Sequence, residues 1–206
     1  MSPSSLLLPI PRPSATEVQK YLAQWHTTNN EKLDTALGAL FAAMPRNVDV
    51  GEVAVKVAAL NGLYATNIFA VVQITTHIVS LGIDARLAED RVDANLVEDI
   101  ATVTNRGRAR RNYSFATKYC AFHRPDLYPI YDSLVGGVLN ALLAQGETFD
   151  SFIPGERWRT DYAIWYRSIT KFRRHYDLSA FSVRDIDKYL WTLAKERQGT
   201  LGAPAR

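Results

Sequence analysis

The stretch YSFATKYCAFHRPDLYPIYDSLV, residues 113–135, decides how the fold is read. Ser114 is a residue that caps helices, and no glycine or proline interrupts the chain from there to His123. The sequence therefore predicts a helix ending at about His123. Pro125 and Pro129 confine the next residues to a loop, because proline lacks the amide hydrogen and clashes with the preceding turn. Asp132 closes that loop and precedes a further helix, which ends before Gly146.

Upstream of this stretch, residues 105–112 (Asn-Arg-Gly-Arg-Ala-Arg-Arg-Asn) read as a basic loop and residues 93–104 as a short helix. Residues 66–80 read as the most apolar helix, carrying Ile68, Phe69, Val71, Val72, Ile74, Ile78 and Val79. With almost no polar face it is expected to be the buried central helix, and Gly82 is its expected stop. Ser14 and Glu17 suggest a capping box for a helix with Val18, Tyr21, Leu22 and Trp25 on one face. Asn29 or Asn30 starts a second helix that Pro45 ends, and Asp49 with Glu52 starts a third. Residues 1–13 hold four prolines and read as an extended arm.

Downstream, residues 147–158 look irregular, Thr160 and Asp161 start a helix with Trp165, Ile169 and Phe172, and Ser182 with Asp185 starts the last one. Residues 198–206 read as a disordered tail. No segment alternates apolar and polar residues as a half-buried strand does. The expected fold is all-α, a compact bundle of about 8–9 helices in a single domain over residues 14–197.

The chain has 206 residues and a net charge of +3. A single cysteine, Cys120, excludes an intrachain disulfide and a cysteine-based zinc or iron–sulfur site. No apolar run approaches the roughly 20 residues of a membrane span. The chain is expected to be cytoplasmic and monomeric, with no membrane partner and no cofactor. His26, His77, His123 and His175 have no metal-ligand spacing, and no glycine-rich phosphate loop is present. The cations are clustered. Arg106, Arg108, Arg110 and Arg111 fall within six positions, and Lys171, Arg173, Arg174 and His175 form a second group. Such clusters suit the phosphates of a nucleic acid, and Trp158 between Arg157 and Arg159 suits base stacking. The second cluster stands near a helix end, where cations are favourable on their own, so a solvated end is its leading reading.

Asp132 carries the chemistry. Where a proline-rigid loop meets a helix start, a carboxylate accepts hydrogen bonds from free amide hydrogens, and the helix dipole favours its anion. A fixed anion of this kind can stabilise an oxocarbenium-like transition state or orient a water nucleophile. A plain capping role is compatible with the same residues. Lys118 reads either as an exposed helix lysine or as a pocket lysine that pairs with the carboxylate.

Two segments resemble the helix-hairpin-helix DNA glycosylase superfamily. Pro129-Ile130-Tyr131-Asp132-Ser133-Leu134-Val135 resembles the family's Pro-hydrophobic-Asp segment, with one residue inserted before the Asp, and Ala116–Phe122 resembles the second helix of the hairpin. Leu60-Asn61-Gly62-Leu63-Tyr64-Ala65-Thr66-Asn67 resembles the earlier Leu-Leu-Ser-x-Gln-x-Thr-Asp segment, with Tyr64 in place of the Gln that enters the DNA. The family's Leu-Pro-Gly-Val-Gly hairpin loop is absent and the arginine-rich stretch around Gly107 replaces it, so the hairpin is degenerate. Lys118 lies 14 residues before Asp132, closer than the lysine of the lyase-competent members.

The resemblance implies a glycosylase-like bundle and excision of a base from a flipped nucleotide. Asp132 and Lys118 are then the catalytic residues, Asp132 as the carboxylate and Lys118 as the amine that orients the base, assists or only pairs. DNA lies on Tyr64, Asn67, Arg106, Arg108, Arg110, Arg111, Ser114 and Arg174, and no metal takes part. A non-catalytic nucleic-acid-binding module and a helical protein-interaction domain are the competing expectations.

Overall fold

The computed structural model describes residues 9–105, 108–150 and 155–199. By chain range the molecule divides into two compact units, one of Met1–Glu31 with Tyr131–Arg206 and one of Lys32–Ile130. The described residues are predominantly helical, as expected, but they include a two-stranded sheet that the sequence reading lacks.

The middle unit runs α2 (Asn29–Ala43), α3 (Val50–Tyr64), α4 (Val71–Leu81), the single turn α5 (Asp84–Leu87), α6 (Ala94–Ala101), β1 (Thr102–Asn105), β2 (Arg108–Arg111) and α7 (Tyr113–His123). Asp49 caps α3 by accepting from the Glu52 amide at 2.9 Å, and Asp93 caps α6 through the Leu96 amide at 3.1 Å. Gly82 ends α4 at φ 58°, a left-handed conformation that glycine adopts without strain.

The structure corrects three expectations here. Of the expected loop, Asn105 and Arg108–Arg111 are strand, and residues 106–107 lie outside the described residues. Thr102–Asn105 and Arg108–Arg111 pair antiparallel, with Val103 opposite Arg110. The run Thr102-Val103-Thr104 is β-branched, and such side chains favour the pleated strand over another helical turn. Residues 66–80 are not one helix either. Ala65 and Asn67 adopt left-handed φ of 46° and 58°, and α4 begins only at Val71. Only Ile74, Thr75 and Ile78 of α4 are buried, whereas Phe69 and Val72 are 82% and 75% exposed. The most buried helix of this unit is α7, in which eight of the eleven residues are inside. Finally, Ser114 does not cap α7. Asn112 stands at that position, and Ser114 lies within the first turn.

A buried polar knot fastens α3 and α7. The Lys56 side chain is fully enclosed, and its Nζ donates to Met44 O, Arg46 O and Asn47 Oδ1 at 2.8–2.9 Å. Asn47 Oδ1 also accepts from Tyr119 Oη at 2.6 Å and lies 3.2 Å from His123 Nε2. Asn47 donates its side-chain and backbone N–H groups to Asp84. Burial pushes the Lys56 amine down to about 8, with Asp84 and Glu52 opposing the shift. Burial, helped by the charge of Lys56, pushes His123 down to about 3.

The terminal unit holds α1 (Ala15–Trp25), α8 (Ser133–Ala144), α9 (Gly155–Thr160), α10 (Tyr162–His175) and α11 (Val183–Arg197). α11 packs against α1 and α8, and α9 packs against α8 and α10. The capping box of Ser182 and Asp185 is complete, whereas at Ser14 only the hydroxyl bond to the Glu17 amide is formed, at 3.2 Å. Ile10, in the expected extended arm, is buried, and its backbone is held by both polar groups of Gln145. Trp158 is also buried, donating from Nε1 to Ser168 Oγ at 3.0 Å, so it offers no stacking surface. Its indole fills the space against Trp165, which is where its large apolar area is best placed. Of the expected tail, Gln198 and Gly199 continue the last turn of α11 and residues 200–206 lie outside the described residues. No helix among the described residues is long and apolar enough to cross a membrane.

Two outcomes are expected. Asn47→Ala takes the acceptor of Tyr119 Oη, one of the three acceptors of Lys56 and the side-chain donor to Asp84. Urea unfolding should register a loss of about 2–4 kcal/mol. The second concerns acid. Because folding holds His123 at about 3, against about 6.5 when unfolded, its contribution is complete above pH 6.5 and is lost as pH falls from there toward 3. His123→Gln should flatten the pH dependence of the urea midpoint in that window.

Candidate functional site

In the terminal unit, Asp132 is the N-cap of α8, with extended backbone at φ −136° and ψ 137°. One carboxylate oxygen accepts from the Leu134 amide at 2.8 Å, and the Asp132 carbonyl accepts from Gly136 N at 3.0 Å. The side chain is half-buried, and its second oxygen accepts no hydrogen bond among the described residues. Tyr131, next to it, is buried with its ring edge-on to Trp165, which fixes the chain where it enters the helix. The carboxylate thus combines a fixed position with one oxygen still open.

In the middle unit, Lys118 is not an exposed lysine. It is 3% exposed, and its Nζ donates to Ser114 Oγ, one helical turn earlier, at 2.6 Å. The ammonium also lies 5.7 Å from the centre of the Tyr64 ring. Tyr64 is held at both ends. Its hydroxyl donates to Asp34 Oδ1 at 2.7 Å, and its ring packs edge-on against Phe122. The structure therefore brings Tyr64, Ser114 and Lys118 together and adds Asp34, which sequence reasoning did not single out. A half-buried ring tied down in this way stacks within the protein.

Of the remaining expected contacts, the arginines of residues 106–111 belong to the hairpin stretch. Arg111 pairs with Glu98 at 2.7 Å and stacks on Tyr113 at 4.0 Å, so its charge is compensated. Arg110 has no carboxylate partner among the described residues. Its guanidinium donates to the Asn67 carbonyl at 2.8 Å and lies 5.1 Å from the centre of the Phe69 ring. Asn67 thus takes part through its backbone. Arg108 is a strand residue of β2, and Arg106 lies outside the described residues.

Phe69, which sequence reasoning assigned to a buried helix, is the most exposed large apolar side chain among the described residues. The signal was present in Asn67, a residue tolerant of left-handed backbone, placed just before Phe69. In the other unit, Arg174 is exposed and makes no ion pair among the described residues. Lys171 is engaged by Asp150, and Arg173 donates to the Phe181 carbonyl. No group of three or more His, Cys, Asp and Glu side chains that could hold a metal ion occurs among the described residues.

Residues 17–127 match the family model HI_0787_N, described as an N-terminal domain. The chain is 37% identical over 137 residues to an uncharacterized protein of Haemophilus influenzae, an alignment covering 66% of this chain and 63% of that protein. The chain therefore spans less than two thirds of that relative. No solved structure matches it.

The geometry of the lysine cluster gives a direct test. Ser114→Ala removes an acceptor from a buried ammonium, which should lower stability by about 1–3 kcal/mol in urea unfolding. Ser114→Thr, which restores a hydroxyl, should recover most of it.

Proposed function

This chain belongs to the HI_0787_N family, and we propose that it acts on DNA as a base-excision-type N-glycosylase or a degenerate relative of one. The observation that carries the reading is the Asp132 carboxylate, clamped by the first turn of α8 through one oxygen and open at the other. When an N-glycosidic bond breaks, the base leaves with the bonding electron pair and positive charge develops on the sugar. Water then adds to the sugar carbon, and the proton it loses ends on the departed base. An anion preset beside the sugar lowers the energy of that charge without reorganising during the reaction.

The phosphate-binding part of the reading rests on the hairpin. α6 and α7, which precede and follow β1 and β2 in the chain, pack together, and β2 carries Arg108, Arg110 and Arg111. Arg110 lacks a carboxylate partner among the described residues, which leaves its charge available to a phosphate. Lys118 acts in this reading as a positioning residue. Its amine is enclosed and bonded to Ser114, an arrangement unsuited to attacking a sugar carbon in a lyase step. A second reading, a non-catalytic DNA-binding module, needs only the hairpin.

Asp132→Asn separates them. Asparagine caps helices about as well as aspartate, so the fold should be kept. Equilibrium binding to duplex DNA should stay within about twofold of wild type, while base release falls by roughly 100-fold or more. Base release at the wild-type rate in this variant removes Asp132 from the mechanism. Steeply salt-dependent DNA binding with no release of any base by the wild type makes the chain the non-catalytic module. Failure of the wild type to bind DNA at low salt defeats both.

A further inference from the structure

The loop between α3 and α4 holds an aromatic ring in water and spends backbone strain to do so. Ala65 and Asn67 are both left-handed, a conformation that costs a non-glycine residue of order 1 kcal/mol. Asn61, near the end of α3, braces the loop. Its Oδ1 accepts from the Ile68 amide at 2.8 Å and from the Thr66 hydroxyl at 3.0 Å, and its Nδ2 donates to the Ile68 carbonyl at 3.1 Å. Ile68 points inward and is buried, while its neighbour Phe69 is 82% exposed. Arg110 adds a second brace through the Asn67 carbonyl and covers part of the ring. The depression beside the ring, lined by Gln73, Ile74, Val103 and Asn112, has a volume of about 70 Å³, far below the roughly 300 Å³ of a small-molecule pocket. A ligand therefore lies on the ring rather than entering beneath it.

We propose that Phe69 and Arg110 form a platform on which one unpaired nucleobase stacks while the guanidinium meets the adjoining phosphate. The inference rests on the DNA reading above and names the form of DNA that this face takes, a strand with at least one base out of the duplex. A paired base inside a duplex presents only its edge, whereas an unpaired base presents a π-face, and an exposed flat ring matches that face. An arginine whose charge is not compensated supplies the complement to the backbone. A buried role for Phe69 is absent, and the loop is fixed in advance, so little ordering is needed when a base arrives.

The test uses the full chain and a single-stranded oligonucleotide of about 15 nucleotides carrying one 2-aminopurine, a length within the usual range of strand-binding sites. Wild type should quench the 2-aminopurine emission on binding. Phe69→Ala should keep the wild-type melting temperature, because the side chain is exposed, yet lose the quenching and weaken binding by roughly five- to 100-fold. Its log-affinity against log-salt slope should not change, whereas Arg110→Ala should reduce that slope by about one. If Phe69→Ala binds and quenches as wild type does while Arg110→Ala weakens binding, the platform is overturned and the DNA reading stands. The same holds if Phe69→Ala alters only self-association in sedimentation, which would make the ring a protein contact. If wild type binds no oligonucleotide at low salt, the DNA reading itself has failed and the platform with it.

Discussion

The buried ammonium of Lys56 is the constraint on which the middle unit depends. A cation with no exposed surface must be matched by acceptors, because losing water costs several kcal/mol that only close, directed partners restore. Two of those partners, Met44 O and Arg46 O, are carbonyls at and beyond the end of α2, where the helix dipole is negative. The third is Asn47, which passes the connection to Asp84 of α5 and to Tyr119 and His123 on α7. One polar centre therefore fixes α3 against α7. Tyr64 lies eight residues beyond Lys56 on α3, and Lys118 adjoins Tyr119 on α7. The bonds that satisfy Lys56 also set the spacing at which the Tyr64 ring meets the Lys118 ammonium.

The end of α3 then acts as a rigid mount. Once its register is fixed, Asn61 is in place to hold Ile68 from both sides of its peptide backbone, and the left-handed residues on either side of Thr66 become tolerable. Strain of this size persists only where surrounding bonds over-determine it. Here they come from Asn61 on one side and Arg110 on the other. The chain reaches Phe69 with little freedom left, which explains how a large apolar side chain stays in water instead of folding back onto Ile68 and Ile74.

Much of the fold was legible in the sequence. The caps at Asp49, Asp132, Asp161 and Ser182 read correctly because capping is local, involving one side chain and an amide two or three residues on. The stop at Gly82 was equally local. The errors arose where a side chain from elsewhere in the chain decides the backbone. Residues 66–80 looked helical because apolar composition was read without the bonds from Asn61 and Arg110 that unwind its first part. The hairpin was missed because its β-branched half is only three residues long and its arginine half carries no apolar alternation. At the site, Asp132 was legible and the burial of Lys118 was not. A lysine in a helix resembles any other until Ser114, Tyr64 and their surroundings close over it.

Charge shows most sharply why counting residues is not enough. In sequence, Arg110 and Arg111 are neighbours and look equivalent. On a strand they point to opposite faces, and each face gives its arginine a different fate. Arg111 meets Glu98 of α6 and the Tyr113 ring, a packed and neutralised pair that ties the hairpin to both flanking helices. Arg110 meets a backbone carbonyl and an exposed ring, neither of which cancels its charge. A carbonyl orients the guanidinium but leaves its field intact, so a phosphate approaching Arg110 displaces no carboxylate. A phosphate approaching Arg111 would have to compete with Glu98 at 2.7 Å. The strand thus gives two neighbouring arginines different surroundings, Arg111 paired with a carboxylate and Arg110 without one among the described residues.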